Sequence, residues 1–145
     1  MYKRMGIAME KQVMASTVIR VDERGDERGL LAVLEEDKTV PFEIKRVFYI
    51  YGTKDGVTRG RHGHFKTRQA LVCVSGSCVV GLDNLFRKEE VLLDHPTKVL
   101  LLEPNDWHEM YNFSSDCVLL VLASHLYDPQ DYIRDYDRFV EVYGR

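Results

Sequence analysis

The sequence predicts an all-β fold, a sandwich or barrel of short strands finished by one short C-terminal helix. Three observations predict it. From Val18 to Ala123 the chain alternates short β-branched or aromatic runs with turn residues. No segment before residue 128 has a helical period of useful length. After Ala123 the pattern changes, and Tyr132, Ile133, Tyr136, Phe139, Val140 and Tyr143 recur at spacings of three and four.

The candidate strands are 16–21, 30–36, 44–52, 62–66, 69–76, 77–83, 89–94, 98–104, 108–114 and 117–124. Residues that favour turns separate them: Gly25-Asp26, Lys54-Asp55-Gly56, Ser75-Gly76-Ser77, Asp83-Asn84, His95-Pro96 and Pro104-Asn105-Asp106. The helix is expected to begin at the Asp128-Pro129 pair and to pack over the strands, with its alternating charges forming a solvated face. At 145 residues the chain is expected to form one domain over 1–145, with 1–15 outside the strand pattern as an N-terminal extension.

Composition narrows the function classes. With 45% hydrophobic and 30% charged residues and a net charge of −3, the chain has neither the profile of a disordered segment nor the basic surface that nucleic acid requires. No apolar run approaches the ~20 residues of a membrane-spanning helix. The three cysteines, Cys73, Cys78 and Cys117, lie inside apolar runs rather than at zinc-finger spacing, as reduced buried thiols of a cytoplasmic protein do.

The sharpest local feature is Arg59-Gly60-Arg61-His62-Gly63-His64. On a strand, alternation sends His62 and His64 to one face and Gly63 to the other, so two imidazoles stand side by side. Farther along, the turn at Pro104-Asn105-Asp106 leads into Trp107 and His108. That separation lets two strands meet across a barrel.

An HxH pair followed by a later histidine behind a proline turn is the outline of the two cupin motifs. The chain resembles the cupins and, within them, the sugar 3,4-ketoisomerases that act on dTDP-4-keto-6-deoxyglucose. The segments that carry the resemblance are RGLLAVLEE (28–36), PFEIKRVFYI (41–50), RGRHGH (59–64), QALVCVSGSCVV (69–80), WHEMYNFSSDCVLLVLAS (107–124) and YDPQDYIRDYDRF (127–139). It implies a cupin or jelly-roll barrel, and a sugar nucleotide isomerase that needs neither cofactor nor metal. Metal-binding cupins add a glutamate four residues after the second histidine, where this chain has Arg68, and the second motif is compressed around Asp106. Gly63 stands where an alanine is usual in the family.

The chemistry fits imidazole. Moving a ketone from C4 to C3 requires a base for the C3 proton, an enediol, and a proton returned to C4, and a base of near-neutral pKa does this well. His64 is the expected base and His62 its partner, with Tyr49 and Arg59 as donors to the developing oxyanion. A diphosphate calls for cations, which Arg46, Arg59 and Lys66 supply. Gln69, His108, Asn112 and Leu30 complete the expected substrate contacts, Leu30 and His108 lying at positions that the resemblance associates with the stereochemical result at C4. An epimerase, a non-catalytic sugar-binding cupin and a metal-dependent dioxygenase are the alternatives. A homodimer is expected, because an apolar sheet edge needs covering.

Overall fold

The computed structural model describes residues 17–144, so the proposed extension at 1–15 lies outside them. The strands are β1 (Thr17–Arg20), β2 (Glu23–Asp26), β3 (Gly29–Ala32), β4 (Arg46–Tyr51), β5 (Arg59–His64), β6 (Gln69–Ser75), β7 (Cys78–Asp83), β8 (Lys88–Leu93), β9 (Lys98–Leu102), β10 (Trp107–Tyr111), β11 (Val118–Ala123) and β12 (Tyr132–Ile133), followed by helix α1 (Tyr136–Tyr143). Two five-stranded antiparallel sheets, ordered β1-β9-β6-β11-β4 and β12-β5-β10-β7-β8, enclose the main core, and β2 and β3 form a separate hairpin. The expected barrel is thus two sheets face to face rather than one closed ladder, which is compatible with a jelly roll.

Strand alternation stacks the interior in layers. In the first sheet, Arg46, Ala123, Gln69 and Leu102 share one rung, Phe48, Val121, Leu71 and Leu100 the next inward-facing one, and Ile50, Leu119 and Cys73 the third. The facing sheet matches them with His62, His108 and Leu82, then Met110, Val80 and Val91, then Cys78 and Leu93. Polar groups therefore gather at one end of the interior, and the two deeper layers are apolar apart from thiols. A second core lies on the outer face of the first sheet, where Val40 and Phe42 of the connection to β4 pack over Ala70, Val72, Val99 and Leu122.

Three elements differ from expectation. The candidate strand 30–36 ends at Ala32, and Gly25-Asp26, expected as a turn, belongs to β2. The tail helix begins at Tyr136 instead of Asp128. Asp128 caps a single 3-10 turn, the buried Asp131 carboxylate accepts from the Lys66 amide and the Thr67 hydroxyl, and this ties Tyr132 and Ile133 to β5 as β12. Asp135 then caps α1 by accepting from the Arg138 amide. Phe139 of α1 is wholly buried beside Trp107 and Ile133. A Cβ at Gly63 would come within 2.7 Å of the Phe139 ring, so the glycine lets α1 close on β5.

Candidate active site

A cavity of about 390 Å³ opens at the polar end of the interior, lined by His62, His108, Gln69, Arg59, Tyr132 and Arg134 above an apolar floor of Phe48, Leu71, Met110 and Val121. Three imidazoles meet there. His62 and His64 are 5.0 Å apart between ring centroids, His62 and His108 4.7 Å, and His64 and His108 5.8 Å and stacked. His62 pairs with His108 across the β5–β10 ladder, next to a bulge at which Gly60 and Arg61 adopt positive φ. His62 and His108 form the wall, whereas His64, 1% exposed, stands one layer behind them.

The hydrogen bonding of these rings leaves acceptors or donors free. His108 Nδ1 lies 2.9 Å from the Asp106 carbonyl, so it is the protonated nitrogen and Nε2 keeps its lone pair. Nδ1 of His62 and Nε2 of His64 are buried with no partner. Buried polar atoms without partners are costly, and a ligand that pairs with them recovers that cost.

The electrostatics keep all three rings neutral. Burial, then the neighbouring His108, His64 and Arg134, lowers His62 to about 2. Burial, His108, Arg46 and Arg134 lower His64 to about 3. Burial also lowers His108, against the opposing effect of its bond to Asp106. Burial, then the neighbouring charges, therefore removes the expected near-neutral basicity from the free site, and among the described residues no carboxylate lines the cavity to offset them. The guanidiniums of Arg59 and Arg134 oppose a cation in the cavity, and among the described residues the ligand atoms that converge within 4.8 Å of one another are those of the cysteines, not of the imidazoles.

Several expected residues lie elsewhere. Tyr49 is 59% exposed on the outer face of β4. Arg46 and Tyr49 are three apart on one strand and so face opposite ways, and it is Arg46, Phe48 and Ile50 that turn inward. Leu30 is 72% exposed on the β3 hairpin, beside a shallow groove separate from the cavity. Lys66 is exposed in the turn after β5, and Asn112, with φ of 53°, leaves the strand alternation just past β10. Arg68 also faces outward, donating to the Glu103 carboxylate at 2.9 to 3.1 Å and to the Pro41 carbonyl, so it sets no charge in the cavity.

The structure brings in two residues that sequence reading passed over, Tyr132 and Arg134. Pairing of β12 with β5 sets Tyr132 opposite His64, with its ring 5.0 Å from His62 and 4.7 Å from His64. Arg46 Nη1 donates to the Tyr132 hydroxyl at 3.3 Å, and the Arg134 guanidinium lies 4.4 Å from the Tyr132 ring centroid. The available signal was the segment YDPQDYIRDYDRF itself, which carried the resemblance but read as a continuous helix.

Comparison with known proteins agrees with this geometry. A family model described as FdtA: WxcM-like, C-terminal, matches residues 14–144. A TDP-4-oxo-6-deoxy-alpha-D-glucose-3,4-oxoisomerase of Aneurinibacillus thermoaerophilus is 51% identical over 126 residues, which span 87% of this chain and 91% of the relative. A 3,4-ketoisomerase of Helicobacter canadensis superposes with a TM-score of 0.87 at 41% identity, covering 91% of this chain and 99% of its own. A histidine-to-asparagine variant of the 3,4-ketoisomerase QdtA of Thermoanaerobacterium thermosaccharolyticum, in complex with TDP-4-keto-6-deoxyglucose, gives a TM-score of 0.86 at 38% identity over 88% and 93% of the two chains. In fold and in sequence along its described length, the chain belongs to the FdtA family.

Proposed function

We propose that the protein is a sugar nucleotide 3,4-ketoisomerase that converts a dTDP-4-keto-6-deoxyhexose into its 3-keto isomer. The observation that carries this reading is the trio of neutral, desolvated imidazoles, His62 and His108 in the wall of a cavity that Arg59 and Arg134 also line and His64 behind them, with nitrogens of His62 and His64 unpartnered among the described residues. Relatives of 38% to 51% identity with that named activity, or with that named ligand bound, support the same substrate class.

In the proposed reaction His64 takes the C3 proton through its free Nε2, and the electron pair moves onto the C4 oxygen to form an enediol. His62 passes a proton between the two oxygens, and the His64 imidazolium, its proton exchanged with solvent, then protonates C4, so one C–H bond breaks and one forms with no net redox change. Tyr132, rather than Tyr49, donates to the developing oxyanion, its hydroxyl polarised by Arg46. Arg59 and Arg134 meet the diphosphate. After burial and the neighbouring rings, the charge of Arg134, joined at His64 by that of Arg46, depresses the imidazoles in the free protein. The anionic substrate offsets those charges, and so raises the basicity of His62 and His64 when it is needed.

The substrate enters as a free nucleotide sugar, and the reading needs no cofactor. A homodimer is part of the proposal, supported by the exposed apolar strip of Val47, Tyr49 and Tyr51 on edge strand β4 and by exposed Leu30 and Leu31. Among the described residues no helix is long and apolar enough to cross a membrane.

The test is proton NMR of the reaction with dTDP-4-keto-6-deoxyglucose in D2O, for the native chain and for His64→Asn. A 3-keto product with deuterium at C4, formed by the native protein and not by the variant, is the expected result. Binding without hydrogen exchange would instead make the protein a sugar-binding module, and a product that keeps its C4 ketone with inverted carbons would make it an epimerase.

A further inference from the structure

All three cysteines of the chain, although 44 positions separate the outer two, meet at one point deep in the interior. Cys73 Sγ lies 3.6 Å from Cys78 Sγ and 3.7 Å from Cys117 Sγ, and the three sulfurs fall within 4.8 Å of one another. All are buried and reduced. They sit two rungs below the histidines, walled by Leu93, Leu100 and Leu119, and they come from both sheets: Cys73 from β6, Cys78 from β7 and Cys117 from the residue before β11.

The spacing suits one central atom. Bonds of about 2.3 Å to sulfur at near-tetrahedral angles place neighbouring sulfurs about 3.8 Å apart. Charge then selects the atom. Three thiolates around a monovalent or divalent ion would leave a net negative charge in a dry apolar layer, and a divalent ion such as zinc would also lack its fourth ligand. A trivalent centre with three sulfurs is neutral. Burial favours the neutral thiols in the same way: a hydrogen bond to Cys78, then burial, pushes Cys73 well up, and burial followed by Cys73 pushes Cys117 up to about 12.

We propose that Cys73, Cys78 and Cys117 form a binding site for the neutral hydroxide of a trivalent, thiophilic element, with arsenous acid as its representative. In the binding step three As–O bonds break and three As–S bonds form. Each thiol proton leaves with a hydroxide as water, so three waters are released, arsenic stays trivalent and no charge is buried. The Cys117 side of the site faces the connection between β10 and β11. There the 113–116 loop is held by the Ser114 amide on the Ser77 carbonyl, the Ser77 amide on Ser114 Oγ and Ser114 Oγ on Asp116, and Asp116 is exposed. Opening of that loop admits a small neutral molecule without unfolding either sheet. This site is separate from the histidine cavity and does not rest on the ketoisomerase reading.

The experiment incubates the folded, reduced, full-length protein with arsenous acid and reads native mass, arsenic X-ray absorption and thermal midpoint. The expected result is one arsenic per chain with the loss of three hydrogens, three sulfur neighbours and no oxygen at arsenic, and a raised midpoint. Cys117→Ser and Cys78→Ala, two variants so that one misfolded product does not decide the matter, should each lose that adduct. The proposal is overturned by a folded native chain that takes up no arsenic, by arsenic held through two sulfurs and an oxygen, or by uptake in a folded variant equal to that of the native chain.

Discussion

The two ends of the interior share strands β4 and β6 and answer desolvation differently. At the mouth, β4, β5, β6 and β10 present Arg46, His62, Gln69 and His108, and two imidazole nitrogens go unpaired. Two rungs deeper, β4, β6, β7 and β11 present Ile50, Cys73, Cys78 and Leu119, a layer of apolar side chains and of sulfurs in contact with one another. Burial favours the neutral form at both ends, lowering the pKa of His62 and His64 and, at Cys73 together with a hydrogen bond to Cys78, raising that of Cys73 and Cys117. The difference is that the mouth leaves nitrogen atoms waiting for a partner while the deep end is satisfied by packing. One end therefore suits proton transfer on an entering substrate, and the other is an apolar layer in which the thiols are the reactive groups.

Substitutions can break that contrast. The largest effect is expected from Leu119→Ala at the deep end, which removes a fully buried side chain and should destabilise the protein by about 2–5 kcal/mol in denaturant unfolding, with turnover per folded molecule unchanged. A loss of turnover out of proportion to folded protein would show that the two ends are coupled. Tyr132→Phe at the mouth should do the reverse. The kcat should fall by roughly 10- to 100-fold, about 1.4–2.7 kcal/mol in the barrier, with KM and thermal stability close to native; an unaltered kcat would remove Tyr132 from the mechanism.

Acid sharpens the contrast further. His62 and His64 have folded pKa values of about 2 and about 3, below the ordinary 6.5 that they regain on unfolding. Between those limits the unfolded chain binds more protons, so their contribution is intact above about pH 6.5 and is lost progressively as pH falls. The slope is at most about 1.4 kcal/mol per pH unit for each imidazole. Replacing His64 with Asn should flatten the stability profile between pH 6 and 4, roughly the upper part of that window; an unchanged profile would place the acid sensitivity elsewhere. The smallest effect is expected at residues that face away from the cavity: Tyr49→Phe and Lys66→Ala should leave kcat within about twofold of native, and a larger loss in either would return that side chain to the site.

Much of this was legible in the chain. Turn residues and period-two runs mark the strands because backbone alternation is a local property, and the same rule places His62 and His64 on one face. It also contained a warning: Arg46 and Tyr49, three apart, cannot both face inward on a regular strand. The tail was harder. Its spacing of three and four suits a helix through residue 132, but Asp131 accepts from Lys66 and Thr67, a pairing between segments 65 residues apart that no local period reveals.

By itself, then, the sequence determined the class of fold, the histidine pair and the family, since each rests on residue order over short spans. Only the tertiary structure decided which groups meet across the interior. It replaced Tyr49 with Tyr132 beside the imidazoles, turned Arg68 outward, left the wall of the cavity without a carboxylate and gathered three distant thiols into one cluster. Those outcomes depend on strand pairing between distant segments and on how far each side chain is removed from water, quantities that exist only once the sheets have closed.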